Sequence, residues 1–540
     1  MRLASLLLLF CIYTSFSKAQ SSPFLISESD AHRDLNNLGK IEALYTHEDK
    51  TTSIFRMQFS NDTSAEGAYN IIMNQLSPGM EEWTQTKFPK PKSETLTGHT
   101  YYQDEIHFFF YDKIVNNKTS IILRSVNLKN KEYTHKVLFA IDTDKKEMVS
   151  DGKSPTKIMV KSSSDGRFVA IISRNSTKAE HAFTLKVVDM NEKNIFFEKK
   201  LMDQRGGNYL LKDLYVNENG RVYSLVKEYF KGKQEKQGSK RNYRYLLHEN
   251  NPQEHRRTIV DISDLFVSSL KMEVQENTMN LIGFYGLKMN VYGFHGVNKI
   301  EDTDGLVMVK IDKSNLEEQS LNLVPVSEIM LRQLFHTTPG SKTTNKRPEN
   351  MHLDHLIRDE EGNLYVIGES YEFQQGGAVM VPGGMNSFGG PPMVTFYTGS
   401  GGVHGDMIIF KLNAAGILLW GRGVLKNGVS YYTPIVVGQD LHILFNAGKK
   451  PRPLGDGRTQ FTLKAKRNSS LFDLHFNAQG RMSYTAIRNN SKNSFYKPLP
   501  FSFQKDPFLF TDREGSTIRF MSISATQEEV TSALESSVEE

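Results

Sequence analysis

The residues whose types come nearest to a metal-binding set are His352 and His355, with Asp354 between them. Two imidazoles and a carboxylate suit zinc. Three-residue spacing on a strand, however, sends the two rings to opposite faces, so convergence on one ion is not expected. Ser387 sits in a glycine-rich run, yet Met385 stands where a nucleophile elbow requires glycine. Gly340-Ser341-Lys342-Thr343 resembles the end of a phosphate loop, but Ser341 separates the glycine from the lysine. Glu301-Asp302-Thr303-Asp304-Gly305 gathers carboxylates that suit calcium, without the distant bidentate glutamate of a full loop, and reads as an acidic turn. Scattered acids would make a glycosidase only if the fold held two of them about 5 to 10 Å apart, which spacing along the chain does not fix. No complete catalytic or metal-binding motif emerges, and no cofactor is expected.

The elements that would position such groups are more legible. An apolar run meets a turn and returns as another apolar run at Asn413-Ala414-Ala415-Gly416, Asn477-Ala478-Gln479-Gly480, Asp165-Gly166, Asn219-Gly220 and Glu361-Gly362. Strands such as Phe168 to Ile172 are apolar throughout, as strands buried on both faces are. Phe183 to Asp189 alternates, as strands nearer a rim do. Paired hairpins recurring along the whole chain predict an all-β fold, a β-propeller of about seven blades with four antiparallel strands each. The last hairpin, near residues 507 to 524, is unpaired and would close the ring beside the N-terminal unit or add an eighth blade. Tandem β-sandwiches are the competing architecture. One short helix is expected over Val326 to Phe335, with Ile329, Leu331, Leu334 and Phe335 on one face.

Three segments stand outside the repeat. Arg2, the apolar stretch Leu3 to Phe16 and the small residues of Ser17-Lys18-Ala19 read as a signal peptide over residues 1–19, cleaved after Ala19. The stretch is short for a membrane span, and no later run reaches spanning length. The single cysteine, Cys11, lies inside this leader, so the exported body, residues 20–525, would fold without a disulfide. Gln374 to Gly405 carries 10 glycines and three prolines and reads as a long loop between two strands of one blade. Thr526 to Glu540, with five glutamates and no aromatic residue, reads as an acidic flexible tail. The net charge of +5 falls to +3 when Arg2 and Lys18 are lost, which argues against a dedicated nucleic-acid binder. The basic run Lys231 to Arg244 is a solvated hairpin tip or a contact for an anionic surface.

The strings Asp213 to Tyr223, Gly283-Phe284-Tyr285, Gly362 to Tyr371, Asp406 to Trp420 and Leu441 to Asn446 resemble those of an uncharacterised family of secreted, β-rich proteins of Bacteroidetes-type bacteria. The resemblance spans roughly residues 155 to 450 and implies an exported bacterial protein, in the periplasm, at the outer-membrane surface or outside the cell, with no mechanism attached. Asn-x-Ser/Thr sequences such as those at Asn175 and Asn468 carry no weight in such a cell. Glu369, Tyr371 and Asn446 fall at signature-like positions where apolar strands give way to loops. They would form a polar binding cluster at the mouth of the ring, or serve turn and edge chemistry. Trp420 is expected to pack between blades. Two functions follow: a monomeric, non-catalytic binding or assembly module for an unknown protein or glycan of the cell envelope, and a carbohydrate-active enzyme with its site at the ring mouth.

Overall fold

In a computed structural model the chain forms eight four-stranded antiparallel sheets, with the first strands of the second to seventh sheets touching in succession. The described residues are 24–525, apart from 34–40, 59–69, 143–157, 175–181, 203–207, 289–301, 336–345, 375–377, 383–392, 398–400, 499–507 and the short gaps 48, 78–79, 81–82, 92, 116–117, 233–234, 430–431, 492–493 and 515–516. The expected signal peptide and acidic tail lie outside the described residues, as do Ser387 and the string 340–343. The chain is an eight-bladed β-propeller.

Blades 1 to 7 span Ile41–Pro89, Thr95–Asp142, Ile158–Leu201, Tyr209–Val260, Phe266–Pro325, Met351–Asn427 and Tyr432–Asn489. Blade 8 is where the main sequence expectation of seven is corrected. The hairpin Phe508–Glu514/Thr517–Ala525 supplies only the middle of this sheet. Lys497–Pro498 is its inner strand, and Phe24–Glu28 from the other end of the chain is its outer one, in register from Phe24 opposite Ala525 to Glu28 opposite Met521. The sequence shows an orphan pair because the partner strand lies almost 500 residues away.

The apolar core is divided into eight clusters, one at each junction between neighbouring blades. Second strands such as Phe168–Arg174 and Leu364–Glu369 are buried nearly end to end because both of their faces meet a neighbour. The cluster of Ile41, Ile54, Leu509, Ile518 and Phe520 joins blade 8 to blade 1 and closes the ring, which excludes tandem sandwiches.

The recurring turns all fall on one face. They link first to second and third to fourth strands, and their glycines donate back to Ser163, Asn217, Asp359, Asn413 and Asn477. Gly416 needs its φ of +82°, and a Cβ there would stand 1.8 Å from Met308 Cε. The long connections, including 230–242, 375–400 and 449–468, fall on the opposite face.

The helix Glu328–Phe335 forms where expected but turns differently. Met330, Leu331 and Leu334 are buried while Ile329 is 54% exposed. The helix lies on the outer strand of blade 6, so close that Cβ atoms on Gly421 and Gly423 would meet Met330 and Leu334. The segment Gln374 to Gly405 is more regular than expected at its ends. Strands of blade 6 continue through Gln374 and Gly401, and a hairpin pairs Ala378–Pro382 with Met393–Tyr397. Trp420 packs between blades as expected, 5.8 Å from both Tyr365 and Phe476, with its indole N–H donated to the Ala478 carbonyl.

Phe24, 6% exposed in the junction of blades 7 and 8, carries the closing strand. Phe24→Ala should lower the unfolding free energy by about 3 kcal/mol in urea titration. A change under about 1 kcal/mol would show that the N-terminal strand does not close the ring.

Candidate functional site

Second strands run toward the long-loop face, and several carry a buried polar group on the way, Arg56 in blade 1, Ser173 in blade 3 and Asp512 in blade 8 among them. In blade 4 the group is Lys227, in blade 6 Glu369 and in blade 7 Asn446, at 0%, 4% and 4% exposure. Lys227 and Glu369 each stand two residues beyond the point, Leu225 and Ile367, where the paired first strand bulges, and so take equivalent places in their blades. A polar group in such a place needs a partner, because an unmatched one costs several kcal/mol.

Each of the three finds its partner in a loop or a neighbouring strand. The Lys227 ammonium pairs with Glu235 of the connection 230–242, and Tyr229 donates to the same carboxylate at 2.7 Å. The ammonium also sits 3.5 Å from the centre of the Tyr243 ring. Burial lowers the Lys227 ammonium to about 8. The Glu369 carboxylate takes Lys426 on one oxygen and His404, 2.8 Å away, on the other. Asn446 donates to the Tyr496 carbonyl at 2.6 Å and accepts from Asn490 at 2.8 Å, which ties blade 7 to the entry of blade 8. Lys227 and Asn446 thus tie down connecting segments, while Glu369 joins the strands Gly401–Leu412 and Leu418–Asn427 of its own blade.

Of the three residues expected at the mouth, Glu369 and Asn446 therefore sit on the correct face but in separate anchors of adjacent blades. Asn446 lies within the strand Asp440–Gly448, opposite Leu471, and not in a turn. Tyr371 pairs through its backbone with His404 beyond a bulge. The third anchor, Lys227, was missed; the signal for it is a lysine interrupting the apolar run Val222 to Val226.

A second set of charged groups runs round the centre of the ring. Lys161, Asp213, Lys271 and Asp354 come from the first strands of blades 3, 4, 5 and 6, so their signs alternate. Asp213 accepts the Met272 N–H at 2.8 Å and the Leu214 N–H at 2.8 Å, Lys271 donates to the Asp354 carbonyl at 2.9 Å, and Tyr432 of blade 7 donates to the Asp354 carboxylate at 2.8 Å. Glu42, Thr97, Lys212 and Asp354 each occupy a bulge of a first strand, where one extra residue re-aims a side chain. Burial raises the carboxyls of Asp213 and Asp354 and lowers the Lys271 ammonium, and their mutual attraction opposes those shifts.

His355 packs edge-on to Tyr432 at 5.2 Å, and burial holds it neutral, near 4. Among the described residues no group of three or more His, Cys, Asp or Glu is placed to hold a metal ion. Nor is any helix there long and apolar enough to cross a membrane. In the basic run Lys231 to Arg244, Arg241 donates to the Ser263 carbonyl at 2.6 Å and Arg244, already in the strand Tyr243–Asn250, pairs with Glu228, so part of its charge is committed to the fold.

No family model and no curated protein matches the chain. Solved structures of similar shape include the Dos1 propeller, at 8% identity and a TM-score of 0.42 over 92% of this chain and 95% of that one. The polysaccharide lyase Uly1 matches at 10% identity and 0.39, over 80% and 90%. The β-propeller domain of the Trilobed protease from Pyrococcus furiosus matches at 8% and 0.36, over 81% and 93%.

Asp406 offers a pH-resolved test of the blade 6 anchor. Burial lifts its carboxyl from 3.8 to about 6, against the Lys426 N–H that it accepts at 3.1 Å. The raised value means that the folded state binds this proton more tightly than the unfolded one. Its contribution is therefore favourable below pH 4 and is lost as pH rises from 4 to 6. Asp406→Asn should leave stability unchanged at pH 3.5 and raise it at pH 7 by on the order of 2 kcal/mol. Urea midpoints at the two pH values measure the difference, and an equal effect at both would contradict the assignment.

Proposed function

We propose that this protein is an exported, non-catalytic propeller scaffold of a bacterial cell envelope that binds its partner, a protein or a glycan, through the long-loop face. One observation carries the reading: the buried polar groups on that face already have protein partners, which in blades 4 and 7 lie in connecting segments. Lys227, Glu369 and Asn446 are engaged by Glu235, by Lys426 and His404, and by Asn490 and Tyr496. A catalytic acid, base or nucleophile must instead keep an atom available to substrate. Loops held at their bases by a rigid scaffold are the usual place for recognition. The apolar leader supports export.

The carbohydrate-active alternative has its own support at the centre of the ring. Burial and, to a lesser degree, nearby Glu369 raise the Asp354 carboxyl, burial lifts the Asp406 carboxyl to about 6, and Tyr432 stands between blade 6 and blade 7 with its hydroxyl on Asp354. Two acids with separated proton affinities are the minimum for glycoside chemistry.

Photo-cross-linking separates the readings. A photoreactive residue is placed at exposed Lys240 on the long-loop face, or at exposed Glu192 on the turn face, and the protein is irradiated with envelope extract. The reading predicts a discrete protein adduct from position 240 and no protein adduct from 192, with no change in a panel of envelope polysaccharides incubated with the protein. Protein adducts from 192 alone, or polysaccharide breakdown abolished by Asp354→Asn, would overturn it.

A further inference from the structure

On the turn face a cleft of about 550 Å³ opens where blades 3, 4 and 5 meet. Its size falls in the range of small-molecule sites, about 300–1,000 Å³. The walls are turns: Asn217 to Arg221 and Asn251 to Gln253 of blade 4, Glu276-Asn277 and Asp312 to Ser314 of blade 5. Turn chemistry accounts for asparagine at some of these places, since the Asn217 and Asn251 carboxamide oxygens accept backbone N–H groups. It does not account for the side chains of Asn219, Gln253 and Asn277, which bond to no described residue and face solvent at the cleft.

Apart from Glu276, whose exposed carboxylate bonds to no described residue and can accept from a hydroxyl, the charges in the cleft are satisfied from within. Arg221 pairs at 2.7 Å with Glu249, a fully buried carboxylate that Arg256 also holds. The Lys313 ammonium donates to the Gln275 and Glu276 carbonyls, each at 2.6 Å. Asp312 accepts from Ser314 at 2.7 Å and Gln319 at 3.1 Å. A charged ligand would have to displace these contacts, whereas a neutral one with hydroxyls needs what is free, carboxamides that both donate and accept.

Two aromatic groups complete the cleft. Phe196 is 43% exposed and is braced from behind by Phe168 and Phe197, at 5.1 and 5.8 Å between ring centres. It offers a fixed apolar surface of the kind that packs on the C–H face of a sugar ring. Tyr223 lies fully buried in the cleft wall.

We propose that this cleft is a binding site for a neutral saccharide, with Asn219, Gln253 and Asn277 on its hydroxyls and Phe196 against a ring face. The proposal goes beyond the loop-face reading, since it concerns a separate site on the opposite face of the ring.

Saturation-transfer NMR on the full chain, with the methyl glycosides of glucose, galactose, mannose and N-acetylglucosamine, tests it. At least one glycoside should receive saturation, and Asn219→Ala/Gln253→Ala/Asn277→Ala should reduce that signal at least fivefold without moving the melting temperature. Gln253→Ala alone, at an exposed position with no side-chain contact, should give a smaller loss and guards against misfolding of the triple variant. No saturation of any of the four, or a signal that survives the triple substitution, would overturn the proposal. Neither result alters the cross-links expected from position 240, so failure here and failure of the loop-face reading remain distinct.

Discussion

A four-stranded sheet that is apolar on both faces is unstable until something covers both, and in this chain the cover for each blade is the next blade. Eight separate clusters of buried side chains are the result, and none completes the core alone. The ring must therefore close. Closure falls to the first strand of the chain, which lies against the last, with Phe24 beside Ile435, Leu444 and Phe510. Everything polar in the interior is arranged within this constraint: the alternating charges near the axis link first strands of successive blades, and the anchors at the loop face fix segments that the blades leave free.

The division of labour between the two faces follows from strand direction. Tight turns with a positive-φ glycine join strands on one side, where the chain has no room to vary, and long connections gather on the other. The two proposed surfaces differ accordingly. The loop face presents segments held by buried ion pairs, while the cleft on the turn face is built from the turns themselves and owes its free carboxamides to positions where the backbone needs no cap.

What the sequence shows is the part of the fold that is local. Asn413 to Gly416 and Asn477 to Gly480 announce their turns because a left-handed residue admits few side chains, and the apolar second strands announce a sheet covered on both sides. The orphan hairpin near residues 507 to 524 announces an eighth blade as one of two options, and what stays hidden is its outer strand, Phe24–Glu28, because it is distant in the chain. The helix face was misread at Ile329 because the neighbours that select Met330, the glycines at 421 and 423, are almost a hundred residues away. Among the site residues, Glu369 and Asn446 were visible as polar groups ending apolar strands, but their partners Lys426, His404 and Asn490 were not, since pairing across a sheet leaves no spacing to read. Lys227 was passed over although its position in an apolar run is the same signal.

The central claim is that buried polar residues of second strands, Lys227 and Asn446, fix connecting segments of one face. Lys227→Met tests it most directly, since methionine keeps most of the side-chain volume while removing the charge that holds Glu235. Amide hydrogen exchange followed segment by segment should show residues 231–241 exchanging at least tenfold faster than in the parent protein, with the strands Val222–Tyr229 and Tyr243–Asn250 still protected. Unchanged protection in 231–241, or loss of protection throughout blade 4, would contradict it.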